Sequence, residues 1–469
     1  GDESLAIDLA DKLVKQEFQP ATPTFLNAGR ARAGEMVSCF LLSVEDSTEG
    51  ISYAISSSNH LSKIGGGVAL NLSRLRASGE SIKGIEGASG GPVGVAKMLE
   101  QSFSYFNQMG ARQGAGAVYL SVFHPDFELL MDTKKINADE KVRLASLSLG
   151  AIIHDKFMEL AEKNEKAYAF YPHSVFKKYG IHMDDMKMDE WYDKLAADDD
   201  IRKKEINPRQ MLTKIAQMQQ ESGYPYTVFI DTANKEHVLK DVGLVKMSNL
   251  CCEIFQYQTS SDIKGYGDEN KWGQDISCNL GSLNIANVMD NKDVEKTVKT
   301  AIKALTFVSN KTDIKQVPTV KNGNDKSHSI GLGAMNLHGY LVRENILYTS
   351  AEAVEFCDVF FAMIRYYAIK ASMEIAIERK ERFDRFEKSE YAKGKDSAVL
   401  AKYYNNSYLP KSETIKKLFE GIYIPTKEDW SKLLDEVKVN GIYNAYLTAI
   451  APTQSISYVQ NATSSIMPI

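Results

Sequence analysis

Residues 247–255, with the sequence MSNLCCEIF, place an amide, two thiols and a carboxylate side by side. If the segment is extended, alternation puts Asn249, Cys251 and Glu253 on one face. An amide can orient a hydroxyl, a carboxylate can remove a proton, and a thiol can act as a nucleophile or as a hydrogen-atom donor. This segment is therefore the first candidate for a catalytic site.

The same alternation turns Leu250, Cys252 and Ile254 to the opposite, apolar face, which can anchor the segment in a core. Free cysteines are often buried as small apolar residues, so a place in the core is the alternative for every thiol in the chain. We expect that role for Cys252, and also for Cys357 in an apolar helical pattern.

Two more cysteines lie on predicted strands. Cys39 follows Ser38 in the apolar run 37–44, and Cys278 lies in the stretch ISCNLGSLN at 276–284. Five scattered cysteines do not make a disulfide framework, and they fit a reducing cytoplasm. In such a compartment a thiol pair would be catalytic rather than structural.

The composition excludes several classes of protein. The chain has 469 residues, 43% of them hydrophobic, which is enough for a large core. Its net charge of −5 gives no signal for nucleic-acid binding. No apolar run approaches the roughly 18 residues of a membrane span, and no secretory signal opens the chain. None of the eight histidines stands in a ligand spacing, so no metal site is expected.

Helical and strand patterns alternate along most of the chain, which predicts an α/β fold with parallel strands, because parallel strands need crossover connections. The acids and hydroxyls at 45–49 open a predicted helix, with Ser47 or Asp46 as its N-cap. Strands are predicted at 37–44, 68–72, 117–122, 147–153, 226–230, 280–284 and 445–450. Helices are predicted at 3–16, 45–63, 93–109, 155–164, 208–221, 293–309, 335–343 and 351–379.

Several sequence motifs resemble the large (alpha) subunit of class I ribonucleotide reductase, and they follow one another in the same order as in that family. They are NLCCE at 249–253, SC at 38–39, SCNLGSLN at 277–284 and APTQSIS at 451–457. GARQGAGAVY at 110–119 and SIGLGAMNLHG at 329–339 are most similar to the class Ib branch. The resemblance implies a ten-stranded α/β barrel of two antiparallel-arranged, five-stranded parallel halves, with a central finger loop and flanking helices. It also implies one catalytic domain over 1–469, as a portion of a longer chain that lacks an N-terminal helical part and a C-terminal tail.

The resemblance assigns roles to five residues in the reduction of ribonucleoside diphosphates to 2′-deoxyribonucleoside diphosphates. Cys251 matches the thiyl radical at the finger tip that removes the ribose 3′-hydrogen. Glu253 matches the base that accepts the 3′-hydroxyl proton, and Asn249 matches a hydrogen-bond partner of the ribose. Cys39 and Cys278 match the dithiol that supplies two electrons and closes to a disulfide.

The resemblance also implies a substrate site and an allosteric site. The diphosphate would bind the hydroxyl-rich loop that precedes a possible helix start. A nucleotide effector would bind at a dimer interface, and the loop 108–114 would relay its identity to the substrate. For Asp46 the alternative is the helix cap already mentioned. The substrate residues are Thr22, Ser38, Gly67, Asn249, Leu250, Pro452, Thr453, Gln454, Ser455 and Ile456, and the allosteric residues are Asp46, Arg76, Gln108 and Arg112.

The family's partners and cofactors complete the expectation. The radical would come from a separate small (beta) subunit with a dimetal (Mn or Fe) or tyrosyl-type cofactor, and no cofactor would be bound covalently in this chain. Deoxynucleoside triphosphates or ATP would be effectors, the alpha chain would form a homodimer, and a thioredoxin- or glutaredoxin-like protein would be the reductant. The family's tyrosine pair and tail dithiol would lie beyond position 469.

Two other interpretations remain open at this point. A cobalamin-dependent class II reductase shares the finger cysteine and the dithiol. Alternatively, the chain is an inactive nucleotide-binding portion of a split reductase, inert until its other half docks. A requirement for adenosylcobalamin, or complementation by a C-terminal fragment, would distinguish them.

Overall fold

The computed structural model describes residues 3–30, 34–108, 110, 112–265 and 269–469. Strands occur throughout the first three quarters of the chain. They are β1 (Phe18–Pro20), β2 (Cys39–Ser43), β3 (Gly67–Asn71), β4 (Gly116–Ser121), β5 (Ser148–Ile153), β6 (Ala167–Phe170), β7 (Lys203–Ile206), β8 (Tyr226–Phe229), β9 (Ile276–Asn284) and β10 (Ile330–Met335).

Helices connect most of these strands and make up most of the last third of the described chain. They are α1 (Glu3–Val14), α2 (Thr22–Asn27), α3 (Thr48–Lys63), α4 (Gly91–Tyr105), α5 (Phe127–Asp132), α6 (Asp155–Lys163), α7 (Pro172–Tyr179), α8 (Met188–Ala197), α9 (Pro208–Ser222), α10 (Ile230–Glu236), α11 (Ile285–Asn291), α12 (Val294–Lys311), α13 (Pro318–Ser327), α14 (Leu337–Arg343), α15 (Ala351–Arg379), α16 (Glu390–Lys393), α17 (Ala401–Asn405), α18 (Glu413–Leu418), α19 (Lys427–Asn440) and α20 (Gln454–Val459). Short 3₁₀ turns lie at Met183–Asp185, Phe386–Lys388 and Gly394–Asp396.

The main sheet has eight strands and two directions. Strands β2, β3, β4, β5 and β8 are parallel neighbours in that order, joined by helical crossovers. The long strand β9 runs antiparallel to β2 and β1 on one side and parallel to β10 on the other. Strands β6 and β7 form a separate antiparallel pair.

The parallel strands are buried on both faces, which is why their sequences are almost continuously apolar. On β2, Phe40 and Leu42 pack outward with residues of the helices, whereas Cys39 and Leu41 face the other side. The sheet curls around a loop, because inward residues of β2, β3, β4, β5, β8 and β9 form one cluster with Val245, Met247 and Ile254. We call residues 244–259 the finger loop.

The second half of the fold consists, within the described residues, of β9, β10 and the extended segment 445–449. Backbone N–H groups of Ile330 and Leu332 donate to Tyr446 and Leu447, and Ala449 donates back to Leu332. Helices α12 and α15 cover this half in a large apolar cluster. Helix α15 is 29 residues long, and more than half of it is buried.

The α/β class and the five-stranded parallel half agree with the sequence-based expectation, and the main differences lie elsewhere. The sheet has eight strands rather than ten, and the described residues form a half-barrel with the beginning of its antiparallel-arranged counterpart. Residue 335 ends strand β10 rather than beginning a helix, and segment 445–450 makes only an isolated bridge. Strands β1, β6, β7 and β10 were not predicted.

Candidate active site

The finger loop runs antiparallel along the inner face of β3. Near its base, the Nδ2 group of Asn71 donates to the carbonyl of Lys246 at 3.2 Å. Near its tip, Leu250 lies against Gly67, where an added Cβ would meet Leu250 Cδ2 at 3.2 Å. Asn71 ends β3 and Gly67 begins it, so the loop enters at the carboxyl edge of the parallel strands and its tip reaches their amino edge.

A tight turn forms the tip, in place of the extended segment that the sequence suggested. Asn249 Oδ1 accepts hydrogen bonds from the backbone N–H groups of Glu253 (2.9 Å) and Ile254 (3.1 Å). Cys252 has φ = +64°, a left-handed conformation that breaks any strand alternation. The predicted two-face arrangement is therefore wrong, although the turn still gathers Asn249, Cys251 and Glu253.

Tyr119 supports this turn from the neighbouring sheet and was missed as a site residue. Its hydroxyl donates to the carbonyl of Asn249 at 2.6 Å and lies 3.0 Å from Cys252 Sγ. Cys252 is half-buried rather than in the core, contrary to expectation, because the turn aims its thiol at this hydroxyl. Tyr119 is fully buried on β4, at the end of the stretch 110–119 that resembles the family. Its side chain faces inward with Ala117, and this alternation along the strand could have identified it as a residue near the finger loop.

Cys39 and Cys278 are directly opposite each other on antiparallel strands β2 and β9. Opposite residues in such a pair have Cα atoms about 4.5–5.5 Å apart, inside the roughly 7 Å limit for a disulfide. Both thiols are free and buried. The amide of Asn249 lies 3.6 Å from Cys39 Sγ, so the finger tip and the cysteine pair share one site.

Burial and negative neighbours keep the three thiols protonated. Desolvation, then Glu253 and Cys252, raise the pKa of Cys251 to about 12, although its side chain is exposed at the tip. Burial and then Glu253 also raise the pKa values of Cys39 and Cys278. Nucleophilic cysteines have the opposite property, a lowered pKa in electropositive surroundings.

Glu253 is positioned to exchange a proton. Burial raises the pKa of its carboxyl, while hydrogen bonding to Asn249 opposes the shift. Its Oε2 atom is buried and has no hydrogen-bond partner among the described residues, and the same holds for Ser38 Oγ. Buried polar atoms without partners are rare in proteins, and they are suited to a bound polar ligand.

A cavity of about 720 Å³ opens beside Glu253 and Phe255. Its walls come from β8, β10, the 446–450 segment and α15, including Arg365. Arg365 donates to the hydroxyls of Tyr391 (2.7 Å) and Thr448 (3.3 Å). The arm of the finger loop that carries Glu253 is therefore accessible from this side.

The predicted phosphate loop adjoins the same interior. Ala449 and Ala451, just before it, pack against the finger-loop cluster. Thr453 has φ = +57° at the start of α20, and its hydroxyl accepts from the backbone N–H of Ser465 at 2.7 Å. Of the other predicted residues there, Gln454 and Ser455 are exposed, Pro452 is half-buried and Ile456 is buried.

Thr22 begins α2 and is half-buried. The preceding residue, Ala21, packs against the finger-loop cluster, and its N–H donates to the carbonyl of Leu280 at 3.0 Å. The backbone carbonyl of Ser38 accepts from the N–H of Gly67 at 3.0 Å. The structure therefore brings Thr22, Ser38 and Gly67 to the amino edge, where the finger tip lies.

Asp46 and Arg76 form an ion pair at the other edge of the sheet. Arg76 donates through Nε (2.8 Å) and through its backbone N–H (3.1 Å) to the Asp46 carboxylate. Ser47, not Asp46, caps α3 by accepting from the N–H of Gly50, so the cap alternative for Asp46 is wrong. Asp46 follows β2 and Arg76 follows β3, which places the pair where the finger loop enters.

Within the stretch 108–114, the described residues Gln108, Gly110 and 112–114 precede β4 at the amino edge of the sheet. The N–H of Gln108 donates to the carbonyl of Arg112 at 2.9 Å, whereas residues 109 and 111 lie outside the described part of the chain. The positive charge of Arg112 counteracts part of the rise in the Cys251 pKa, so this side chain is close to the finger tip. Asp46 and Arg76 follow the carboxyl ends of β2 and β3, whereas Arg112 precedes the amino end of β4.

Three carboxylates, those of Asp155, Asp189 and Asp231, converge near the start of α6, a cluster that the sequence did not suggest. Asp231 accepts from the N–H of Asp155 at 2.8 Å, and Asp189 from the N–H of Lys156 at 3.1 Å. Lys235 pairs with Asp155 at 2.6 Å. Helix capping and one ion pair account for these acids, so we assign no metal to them.

Comparisons with known proteins agree with this geometry. The family described as "Ribonucleotide reductase, barrel domain" matches residues 37–469. The whole chain is 53% identical to the ribonucleoside-diphosphate reductase subunit alpha of Bacillus subtilis (strain 168), covering 67% of that protein. It is 45% and 43% identical to the proteins of the same name from Mycoplasma pneumoniae and Mycoplasma genitalium, covering 65% of each.

An α/β half-barrel wrapped around a cysteine-tipped loop, beside a cross-strand cysteine pair, defines a class of enzyme that works with thiols inside a barrel. The chain belongs to the ribonucleotide reductase large-subunit family, as its barrel domain. It spans about two thirds of the length of the curated relatives that it matches. Among the described residues, no helix is long and apolar enough to cross a bilayer.

Proposed function

We propose that the chain carries the catalytic barrel of a class I ribonucleoside-diphosphate reductase and converts ribonucleoside diphosphates into 2′-deoxyribonucleoside diphosphates. One observation carries this proposal. The finger tip with Cys251 and Glu253 meets the opposed pair Cys39 and Cys278 through the side chain of Asn249. The names of the relatives support the same activity.

The protonation of the thiols favours hydrogen-atom chemistry over nucleophilic attack. With a pKa raised to about 12, Cys251 holds a hydrogen on sulfur at neutral pH, and only a very small fraction is thiolate. The negative charge of the nearby Glu253 carboxylate would destabilise a thiolate nucleophile at Cys251. A thiol that exchanges a hydrogen atom needs no charge, so the raised pKa of Cys251 suits this role.

In the proposed reaction, the thiyl radical of Cys251 takes the 3′-hydrogen of the ribose and Glu253 accepts the proton of the 3′-hydroxyl. The 2′-hydroxyl leaves as water. Cys39 and Cys278 become a disulfide and give two electrons to the sugar, while one of their hydrogens leaves in the water and the other is transferred to the 2′ carbon. Glu253 returns its proton to the 3′ oxygen, and Cys251 finally returns the hydrogen atom to the 3′ carbon. Asn249 orients the ribose through its Nδ2 group, since its Oδ1 already serves the turn.

The substrate site is proposed around the finger tip. The buried hydroxyl of Ser38 and the Oε2 atom of Glu253 offer polar groups without protein partners in the described chain. Gly67 and Leu250 pack beside the ribose position, and Thr22 lies near them. The diphosphate is proposed to bind the N–H groups and hydroxyls at 453–455, with Pro452 and Ile456 fixing the loop.

The remaining expectations about partners are part of this proposal. A small beta subunit with a dimetal (Mn or Fe) or tyrosyl-type cofactor supplies the radical, and a thioredoxin- or glutaredoxin-like protein reduces the disulfide. The five free cysteines fit a reducing cytoplasm. The continuous eight-stranded sheet supports a single domain over 1–469.

Effector control is proposed at Asp46 and Arg76, with a deoxynucleoside triphosphate or ATP as the ligand. Because Gln108 and Arg112 lie at the opposite edge of the sheet, one nucleotide reaches both sets most simply if the loop 108–114 belongs to a second copy. This arrangement supports the expected alpha homodimer.

Reduction of CDP and ADP by the complete alpha chain, with and without a small subunit, tests the function. We expect deoxynucleotide product only with the small subunit present. Cys251→Ser should abolish reduction yet leave substrate affinity within about tenfold, since a hydroxyl is nearly isosteric but a poor hydrogen-atom donor. Cys357 is half-buried on α15, outside the site, so Cys357→Ser is the matched control and should keep activity.

Three results would overturn the proposal in different ways. Residual activity above a few per cent in Cys251→Ser would exclude the thiyl role. Activity that requires adenosylcobalamin and no partner would indicate the class II alternative. Activity restored to an inert chain only by a separate C-terminal fragment would indicate a split reductase.

A further inference from the structure

A buried ion cluster lies at the base of the finger loop, outside the residues assigned above. Arg74 is only 2% exposed and faces three carboxylates. Its guanidinium donates to Glu45 (2.7 Å), to both oxygens of Asp184 (3.0 and 3.1 Å) and to Asp185 (2.7 Å). Lys246, 4% exposed, pairs with Asp184 at 3.3 Å and also with Asp185.

The cluster contacts the finger loop near its start and the chain just after its end. Lys246 is part of the arm that leads to Cys251, five residues further along the chain. Beyond the returning arm, Ser261 donates its backbone N–H to Glu45 Oε1 at 3.1 Å. The other oxygen of Glu45 accepts from Arg74. A displacement of Arg74 or Glu45 is therefore felt on both sides of the loop that carries the reactive thiol.

The same cluster is covalently adjacent to the proposed effector residues. Glu45 immediately precedes Asp46, and Arg74 is two residues before Arg76. The ion pair between Asp46 and Arg76 is partly exposed, with 15% and 19% of the two side chains accessible. A ligand can reach this outer pair, whereas the side chains of Arg74, Lys246 and Asp184, at the centre of the inner cluster, are at most 5% exposed.

The Asp46–Arg76 pair and the cluster around Arg74 differ in how easily their charges can exchange partners. An ion pair that solvent can reach is weakened by screening, and it can be exchanged for contacts with a ligand. A buried charge cannot lose its partner without a large penalty, so Arg74 and its carboxylates must move together.

Resting on the proposed function, we propose that the buried Arg74–Lys246 cluster is a positioning device that couples the effector residues Asp46 and Arg76 to the finger loop and hence to Cys251. The coupling acts within one chain, at the carboxyl edge of the parallel strands. It is separate from the loop 108–114, which lies at the amino edge. Arg74 and Lys246 contact no substrate in this scheme and act through the finger loop.

Lys246→Met in the complete alpha chain, assayed with its small subunit, tests the coupling. Methionine keeps the apolar stem and removes the charge. The quantity to measure by calorimetry is the coupling factor, the ratio of the substrate dissociation constants without and with dTTP. It is measured for the ribonucleoside diphosphate that gives the largest factor in the unaltered chain. We expect Lys246→Met to lower this factor at least fivefold toward 1. Asp185→Asn, a milder change at a 38% exposed side chain, should lower it in the same direction.

Lys12→Met is the matched control, because Lys12 is also a buried lysine between two carboxylates. Lys12, on α1, is 1% exposed and pairs with Glu17 (2.8 Å), just before β1, and with Asp293 (3.2 Å), the residue before α12. None of the three residues belongs to the finger loop. Lys12→Met should lower the melting temperature comparably and leave the coupling factor within twofold.

The outcomes separate the inference from the function. The coupling role is overturned if Lys246→Met leaves the coupling factor unaltered, or if Lys12→Met lowers the coupling factor as much as Lys246→Met does. In either case, nucleotide reduction by the unaltered chain still upholds the proposed function. An unaltered chain that reduces no nucleotide overturns the proposed function and, with it, this inference.

Discussion

Asn249 connects the backbone of the finger tip with the chemistry of the site. Its Oδ1 atom closes the turn by accepting two backbone N–H groups, and its carbonyl accepts from Tyr119. Its Nδ2 group donates to Cys39 Sγ at 3.6 Å. In the proposed reaction, this amide therefore acts as a donor, toward the ribose and toward the dithiol.

Glu253 should give the reaction a pH dependence that can be assigned to it. Burial raises its pKa above the ordinary value of about 4.3, so the reactive carboxylate is present above the raised pKa and is lost as pH falls through it. We expect kcat/KM to fall on the acid side at a higher pH than an exposed glutamate would give. Glu253→Gln should lower activity by roughly 10²–10⁴-fold and remove that limb.

Rate profiles of the two proteins between pH 5 and 9 check this prediction, with circular dichroism over the same range to exclude unfolding. An acid limb that persists unchanged in Glu253→Gln would assign the titration to another group.

At the scale of elements, the antiparallel register of β2 and β9 makes a specific redox prediction. Turnover without a reductant should oxidise Cys39 and Cys278 to one disulfide per active chain, because these two are opposite one another. Peptide mapping of the spent enzyme identifies the bond. A disulfide that contained Cys251, Cys252 or Cys357 would contradict the assignment.

The sequence predicted the parallel strands well because each is a short apolar run between polar turns, as at 37–44. It could not predict the finger tip, since that turn depends on Tyr119, which lies 130 residues before Asn249. Strand β10 was missed because its sequence, IGLGAM, contains two glycines and lacks the alternation of a half-buried strand.

The site residues also divide into those that the sequence predicted and those that it could not predict. Motifs quoted from the sequence include Cys39, Asn249, Cys251, Glu253 and Cys278, and the structure gathers all five. The ion cluster around Arg74 had no such signal. Its members are separated by up to 201 positions, from Glu45 to Lys246, and each charge alone is typical of a solvated surface.

At the scale of the whole molecule, the parallel strands separate two sets of functional residues. The finger tip, the cysteine pair and the loop 108–114 are at the amino edge, whereas Asp46, Arg76 and the ion cluster are at the carboxyl edge. A five-residue strand such as β3 extends about 16 Å, so the proposed effector control would act on the reaction over about that distance. Binding at the two edges must then be reciprocal, with each ligand changing the affinity of the other by the same factor.

Asp46→Ala tests that regulation at its outer end. The substitution removes a carboxylate that is proposed to bind the effector, and losing a hydrogen bond to a charged group costs about 1.5–3 kcal/mol, so dTTP affinity should fall about tenfold or more. Turnover without effector should persist, because Asp46 lies away from the finger tip. Calorimetry with dTTP and substrate-competition assays measure the two effects.

Ser47→Ala is the control for damage to the start of α3. It removes the hydrogen bond from the Gly50 N–H and should cost about 1 kcal/mol of stability without touching Arg76. If Ser47→Ala weakened dTTP binding as much as Asp46→Ala, the effect would belong to the helix start. If Asp46→Ala left the dTTP response unchanged, the effector site would have to lie elsewhere, and the ion pair with Arg76 would serve only to fix the loop after β3.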